Sequence, residues 1–412
     1  MGKIQTPITV RGRYFYVGDD RFLINGVVYQ QRAYRPGRIS DDPLSDDGLL
    51  ELELSIPFMK VLGINTIYIP FVELNKNHDA AMKMLAEAGI YVILCIGHRN
   101  ETSDARNRNP LRWYNRENIF YFLRVAEMMA KYINILGYVV PHCHDGHFTE
   151  SAVAVVTRAI VRDIKRYTRL LTEKTGMRTI PVGIMVREVQ TINPTVEPKF
   201  QYYCSGDVSE TVDFFSFEDF DWVEKSYKKV DVGVAKLIKM FGKTHVPVFF
   251  AGYGTKPEAA DARCIAETNA LYSNPDMLRV FSGGIACDFF KEVGALRGLV
   301  TQEKDWEHGG ILLESTTDYK RLWRSLQLHY LDQPPPKVLP GSASNMCRPD
   351  PPKEGDYCLP KLLPKTLVNW DMIEQNLDDS EWIDVNQDVI DQSIDDVISS
   401  IWESLNIEDI EP

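Results

Sequence analysis

The chain has 412 residues, with 46 Lys and Arg against 58 Asp and Glu, a formal net charge of −12. From Asp371 to Pro412 there are fourteen acidic residues and no Lys or Arg, so residues 1–370 carry 46 basic against 44 acidic side chains. A neutral body and a repelling tail exclude a generic nucleic-acid or anionic-membrane surface, because phosphate binding needs clustered cations.

At 44% hydrophobic and 11% aromatic the chain can bury a large core, as one big domain or two average ones. Met1-Gly-Lys-Ile-Gln-Thr-Pro7 leads directly into a strand-like pattern without the apolar run of a signal peptide, and no later run approaches the roughly 18 apolar residues of a membrane span. The seven cysteines, at 95, 143, 204, 264, 287, 347 and 358, are odd in number and irregularly spaced. They read as reduced thiols, and the expected location is cytoplasmic. The sequon Asn100-Glu101-Thr102 is then uninformative.

In chain order, Phe22-Leu-Ile-Asn-Gly-Val-Val-Tyr-Gln30 reads as a hairpin turning at Asn25-Gly26 into a first buried strand. Leu62–Pro70 is an apolar strand, and His78–Ala88 is helical with Gly89 as its stop. Tyr91–Ile96 is a strand, Ile119–Lys131 a helix, Leu136–Val140 a strand and Ser151–Thr172 a long amphipathic helix. The strands Ile180–Met185, Asp213–Phe217, Val246–Phe250 and Gly284–Phe290 follow. Strands apolar throughout and separated by helices require a parallel sheet covered on both faces. Counting from Val27 gives eight, so a (β/α)8 barrel over 8–330 is expected, with a doubly wound sheet as the alternative. Chemistry in such barrels sits at the carboxyl ends of the strands.

From Leu331 the pattern breaks into Asp332-Gln-Pro-Pro-Pro-Lys337, Pro340-Gly-Ser-Ala-Ser344 and Arg348-Pro-Asp-Pro-Pro-Lys353. That proline density predicts a linker or strap over 331–365. An acidic, partly helical tail is expected over 366–412. Within it Ile398, Ile401, Trp402 and Leu405 share one helical face, suited to docking on a partner or on this barrel.

The strand ends carry a family resemblance. Phe22–Gln30, Leu62–Ile67, Asn77-His-Asp79 with Gly89–Ile93, Leu136-Gly-Tyr138, Ile180–Gly183, Val246–Phe250 with Tyr253-Gly254, and Phe281–Ile285 with Gly298-Leu-Val300 resemble, in order, the fungal β-1,3-glucanosyltransferases of glycoside hydrolase family 72. The resemblance runs through about residues 7–300 and implies a secreted, retaining transglycosylase acting on β-1,3-glucan with two glutamates. Retaining chemistry needs one carboxyl as acid/base and a second as nucleophile. The family's Gly-Asn-Glu motif falls on Pro141-His142-Cys143, placing Cys143 at the acid/base position. Its Ser-Glu-Tyr-Gly motif falls on Ala251-Gly252-Tyr253-Gly254, placing Gly252 at the nucleophile position. Phe220, Phe289 and Arg297 stand where the resemblance implies tyrosines, whereas Gln30 matches. Of the family's disulfide cysteines, Ala81, Val223 and Thr255 replace three while Cys204 remains.

Pro141-His142-Cys143-His144-Asp145-Gly146-His147 admits a metal-site reading through His142, Cys143, His144 and His147, or a Cys143 nucleophile with a histidine base. It also reads as a polar loop over a filled cleft, and no further ligand pair of the Cys-x-x-Cys type accompanies it, so no metal and no cofactor is expected. Glu188, Glu218, Asp219, Asp221 and Glu258 follow strand ends and offer either a displaced carboxylate pair or a solvated rim.

The sequence-based expectation is therefore a pseudoenzyme: a non-catalytic interaction or signalling module, with unidentified protein partners, in fungal cell-cell communication or self/nonself recognition. The second reading is a lectin-like module that binds β-1,3-glucan oligosaccharide in a remnant cleft of Gln30, His142, Cys143, His144, Phe220, Gly252, Tyr253, Phe289 and Arg297. The third is a repurposed Cys- or metal-dependent enzyme.

Overall fold

The computed structural model describes residues 2–30, 42–97, 113–141, 150–186, 196–219, 232–254, 267–292, 294–295, 297–305, 310–327, 347–352 and 363–375. The chain opens with β1 (Ile8–Arg11), β2 (Tyr14–Val17) and β3 (Asp20–Phe22), an antiparallel sheet in that order. Its two tight turns use Gly12 and Gly18, both at φ +59°.

Strands and helices then alternate: β4 (Ile24–Val28), α1 (Leu49–Val61), β5 (Thr66–Ile69), α2 (Asp79–Ala88), β6 (Tyr91–Cys95), α3 (Arg116–Ala130), β7 (Ile135–Val140), α4 (Glu150–Thr175), β8 (Val182–Val186), α5 (Val196–Cys204), β9 (Phe214–Glu218), α6 (Val232–Phe241) and β10 (Val248–Tyr253). The short helices α7 (Glu267–Ser273) and α8 (Pro275–Val280) lead to β11 (Gly283–Ala286). Strands β4 to β11 are parallel, and β11 pairs with β4 to close an eight-stranded (β/α)8 barrel. A hairpin of β12 (Val300–Asp305) and β13 (Gly310–Ser315), then α9 (Thr317–Leu326) and α10 (Trp370–Gln375), complete the described elements.

The expected turn at Asn25-Gly26 does not exist; both residues lie inside β4. A Cβ at Gly26 would stand 3.0 Å from Ile285 Cγ1 and 3.2 Å from Thr66 O, so glycine is there for close strand packing. The buried Asn25 amide donates to Leu62 O and Gly63 O, both at 3.0 Å, tying β4 to the end of α1. The turns that the pattern demanded lie upstream, between β1, β2 and β3.

Alternation along each strand divides the core into two layers. Ile24, Ile93, Val139, Met185, Phe214, Phe249 and Ile285 pack inside the barrel, joined by Ile4, Ile8 and Phe15 from the amino-terminal segment. Phe15 meets Phe214 and Phe249 with ring centroids 5.9 and 6.1 Å apart. The small sheet thus corks the end of the barrel at which the strands begin. A Cβ at Gly137 would fall 2.6 Å from the Phe214 ring, so that glycine makes room for the plug. Outside the strands, Phe200, Phe215, Phe217, Phe241, Phe250 and Phe281 fill the space under α5, α6 and α8.

Residues 363–375 pack on the flank of the barrel. Leu367, Val368, Trp370 and Ile373 are buried in the outer core. Arg162 on α4 donates to Pro364 O at 2.7 Å, and the Arg166 guanidinium lies 4.5 Å from the Trp370 ring centroid. Among the described residues no helix is long and apolar enough to cross a membrane.

Candidate functional site

The strand ends opposite the cork hold the described polar groups. After β4 the chain runs through fully buried Tyr29, whose N–H donates to Tyr68 O at 2.9 Å, to half-buried Gln30. Since Ile24 belongs to the inner layer, residues 28 and 30 share its parity, and Gln30 stands above that layer at the barrel mouth.

On β9, Phe214 is an inner residue and Ser216 and Glu218 follow in phase. Glu218 is the last residue of that strand and is half-buried. Next to it, Gly252 on β10 pairs in register with Glu218, and its carbonyl accepts the Asp219 N–H at 2.9 Å. A register shift after Phe250 re-aims the end of β10. Tyr253 consequently sits in the outer core, fully buried, its hydroxyl 3.5 Å from Thr268 Oγ1.

After β11 the chain passes Cys287 and Asp288. The Phe289 N–H donates to Val28 O at 2.9 Å, stitching this segment onto β4. The Arg297 Nε donates to Asp288 Oδ2 at 3.0 Å, with both side chains only partly exposed. Burial works against the Arg297 charge, but the carboxylates of Asp288 and Glu218 and the thiol of Cys287 outweigh it and hold the guanidinium pKa above its ordinary value. Among the described residues the barrel mouth therefore holds the Arg297 cation beside acidic groups, with the Gln30 amide following the adjacent strand. Such planar donors and acceptors suit a ligand rich in hydroxyls.

Two members of the expected cleft are placed elsewhere. Phe289 is fully buried, its ring centroid 5.5 Å from Tyr29 and 4.9 Å from Phe290, because the hydrogen bond to Val28 turns it under the strand ends. Tyr253 is core for the reason given above. Gln30, Gly252 and Arg297 do gather at one barrel end. His142, Cys143, His144, His147, Glu188, Phe220, Asp221 and Glu258 lie outside the described residues, as do Ile398, Ile401, Trp402 and Leu405. Among the described residues no group of three or more His, Cys, Asp or Glu is arranged to hold a metal.

Asp288 and Asp42 were not anticipated. The eighth apolar run reads in the sequence through Phe290 and so hides Asp288 inside a strand, whereas β11 ends at Ala286 and leaves Asp288 at the mouth. Asp42 sits at the end of the segment after β4. It accepts from Leu44 N at 2.9 Å and Glu73 N at 2.7 Å, and its Oδ2 lies 2.6 Å from His78 Nε2.

A closed parallel barrel with polar side chains collected at the carboxyl ends of its strands defines the (β/α)8 class, in which that end is the working one. The family model described as glucanosyltransferase, glycoside hydrolase family 72, matches residues 2–327. The chain belongs to that family. It is 35% identical over 293 residues to the 1,3-beta-glucanosyltransferase gel1 of Aspergillus fumigatus, covering 70% of this chain and 59% of the relative. It is 30% identical over 305 residues to the 1,3-beta-glucanosyltransferase GAS5 of Saccharomyces cerevisiae, covering 73% and 59%. The chain thus spans about 59% of the length of these relatives. A Gas2p variant of Saccharomyces cerevisiae, in complex with laminaritetraose and laminaripentaose, superposes with a TM-score of 0.68 at 26% identity, over 88% of this chain and 75% of that one.

These relatives overturn the expectation of a non-catalytic signalling module. Proteins matched over about 70% of the chain are named as glucanosyltransferases, and nothing in the comparisons carries a role in communication or self/nonself recognition. The pseudoenzyme expectation rested on two motif positions, Cys143 and Gly252. Position 143 lies outside the described residues, and two positions do not decide what carboxylates elsewhere at the mouth, such as Glu218 and Asp288, can do.

Proposed function

We propose that this barrel binds β-1,3-glucan at the carboxyl ends of its strands, with Gln30 and Arg297 among the side chains that meet the sugar hydroxyls. The observation that carries the reading is the meeting of Gln30, Glu218 and the Arg297–Asp288 pair at one barrel end in a chain of the glucanosyltransferase family. A neutral glucan offers hydroxyl donors and acceptors and no charge. The Arg297 guanidinium, already oriented by Asp288, can contact it without first being ordered, and the Gln30 amide offers both a donor and an acceptor. The laminari-oligosaccharides in the Gas2p complex support the same ligand class.

Titration of the full chain with laminari-oligosaccharides of increasing length, followed by calorimetry, tests the reading. Saturable heats that strengthen with chain length are expected. Gln30→Ala and Arg297→Gln should each weaken binding about 5- to 30-fold, the size of one or two lost hydrogen bonds. Flat heats with the unaltered protein sink the reading. Chromatography of the same mixtures shows whether the bound glucan is also shortened and lengthened, as the names of the relatives suggest.

We further propose a cytoplasmic, reducing location. It is supported by Cys204, a fully buried thiol whose pKa burial pushes well above the ordinary range against the nearby cations of Arg158, Arg348 and Lys165. Fractionation of cells expressing the tagged full chain tests it, and recovery only from the culture medium would refute it.

A further inference from the structure

Helix α1 is apolar on two opposite faces. Leu52, Ile56 and Met59 turn into the outer core of the barrel and are buried. At ~100° per residue, Leu50, Leu54, Pro57 and Val61 fall within roughly 60° of arc on the other side. Leu50 is 48% and Val61 53% exposed, Pro57 is exposed and Leu54 is half-buried. A surface helix ordinarily turns charged and polar residues to that side, so the apolar stripe of α1 needs a reason.

On one flank of the stripe, Phe58 meets Tyr319 of α9 with ring centroids 5.8 Å apart, and the Tyr319 hydroxyl donates to Phe58 O at 2.9 Å. One turn further along α9 Trp323 is partly exposed, and β13, packed against α1, exposes Leu312. Of the six exposed large apolar side chains among the described residues, four thus lie on α1 and these two neighbours, a grouping that marks an interaction surface where scattered ones would not. The other flank carries Glu53 and Lys60, both exposed and neither in an ion pair with a described residue. When two identical helices pack antiparallel about a two-fold axis, the axis turns each flank onto itself. Glu53 of each copy then faces Lys60 of the other, while Leu50 packs on Val61 and Leu54 on Pro57. The apolar pairs are centred between Ser55 and Ile56 and the charged pair between Ile56 and Pro57. The two centres differ by one residue, about 1.5 Å along the helix, so a single axis serves both.

We propose that this stripe is the seam of a two-fold dimer, and that the partner is a second copy of this chain with its α1 antiparallel to the first. The charges choose that partner. A flank of one acid and one base is self-complementary under the two-fold axis and gains nothing from a uniformly acidic or uniformly basic segment. A seam built on one helix pair buries less than a standard interface, so the dimer is weak, with a dissociation constant of about 1–100 µM. In a (β/α)8 barrel each helix runs back against its strand, so antiparallel copies of α1 open the two barrel mouths in opposite directions. The seam is on the barrel flank and is independent of the glucan reading.

Sedimentation velocity of the full chain from about 1 to 300 µM, a range that brackets this affinity, tests the proposal. The unaltered protein should pass from monomer to dimer, and Leu54→Arg should stay monomeric throughout. Glu53→Lys sets lysine against lysine at both facing pairs and Lys60→Glu sets glutamate against glutamate, so each variant alone should dimerise at least about fivefold more weakly. Mixed in equal amounts, the two variants should pair with each other and recover the affinity of the unaltered protein, because every facing pair is again opposite in charge. Glu53 and Lys60 are exposed and unpaired, so both charge variants should keep the urea midpoint of the unaltered chain. A full chain that stays monomeric over the whole range, whether its own acidic segment or another protein covers the stripe, overturns the proposal. A dimer that survives Leu54→Arg, or a mixture that associates no more tightly than the separate charge variants, overturns it as well.

Discussion

The carboxylate of Asp42 joins three parts of the chain: the N–H groups of Leu44 and Glu73 and the imidazole of His78, with both His78 and Asp42 side chains sealed from solvent. Asp42→Ala would leave these groups buried without their acceptor, and urea unfolding should show a loss of about 3–5 kcal/mol. Asp42→Asn, which keeps an oxygen for one N–H, should lose less. The residue escaped sequence reading because its partners are 31 and 36 positions away. Gln30 and Arg297 each occupy a motif position, so sequence reading puts them at strand ends, where the structure also has them. Their neighbour Asp288 was not legible, because an apolar stretch that continues past it, through Phe289 and Phe290, conceals where the strand stops.

At the scale of elements, barrel strands β5 to β11 were legible as apolar runs, since each is covered on both faces, whereas the first strand, β4, was read as a hairpin. The amino-terminal sheet was legible only as a strand-like pattern after Pro7, because Tyr14, Tyr16, Arg11 and Arg21 dilute its alternation. Asn25-Gly26 misled for a physical reason: the same small residue that permits a turn also permits two strands to approach closely. Gly283, at φ +91°, joins both uses, as a Cβ there would clash with the Ile24 backbone across the seam of β11 and β4. Gly283→Ala should therefore cost more than about 3 kcal/mol, or prevent folding, where an ordinary strand glycine would tolerate alanine. On the flank, Ile373 of α10 is fully buried against the outer core. Ile373→Ala should cost about 2–4 kcal/mol in thermal or urea unfolding, and a change below 0.5 kcal/mol would show that residues 363–375 do not hold to the barrel in solution.

For the whole molecule, the alkaline limit of stability follows from tyrosines. Burial pushes Tyr91 and Tyr319 up to about 12, against a small opposing effect of Arg178 at Tyr91. In the unfolded chain both ionise near pH 10. Because the folded pKa is the higher one, their contribution is complete below pH 10 and is lost as pH rises from 10 to 12. The Tm should fall by more than about 5 °C across that interval, and the double variant Tyr91→Phe, Tyr319→Phe should show a shallower fall. The seam between β11 and β4 has a further meaning during synthesis. Its paired residues, Gly283 and Ile24, are roughly 260 positions apart, so at about 5–20 residues per second the first barrel strand leaves the ribosome some tens of seconds before its final neighbour. Throughout that time β4 offers an open hydrogen-bonding edge to any extended chain nearby, and only the last strand removes it. Nascent chains stalled before residue 283 should accordingly bind chaperones and aggregate, and chains released beyond β11 should not.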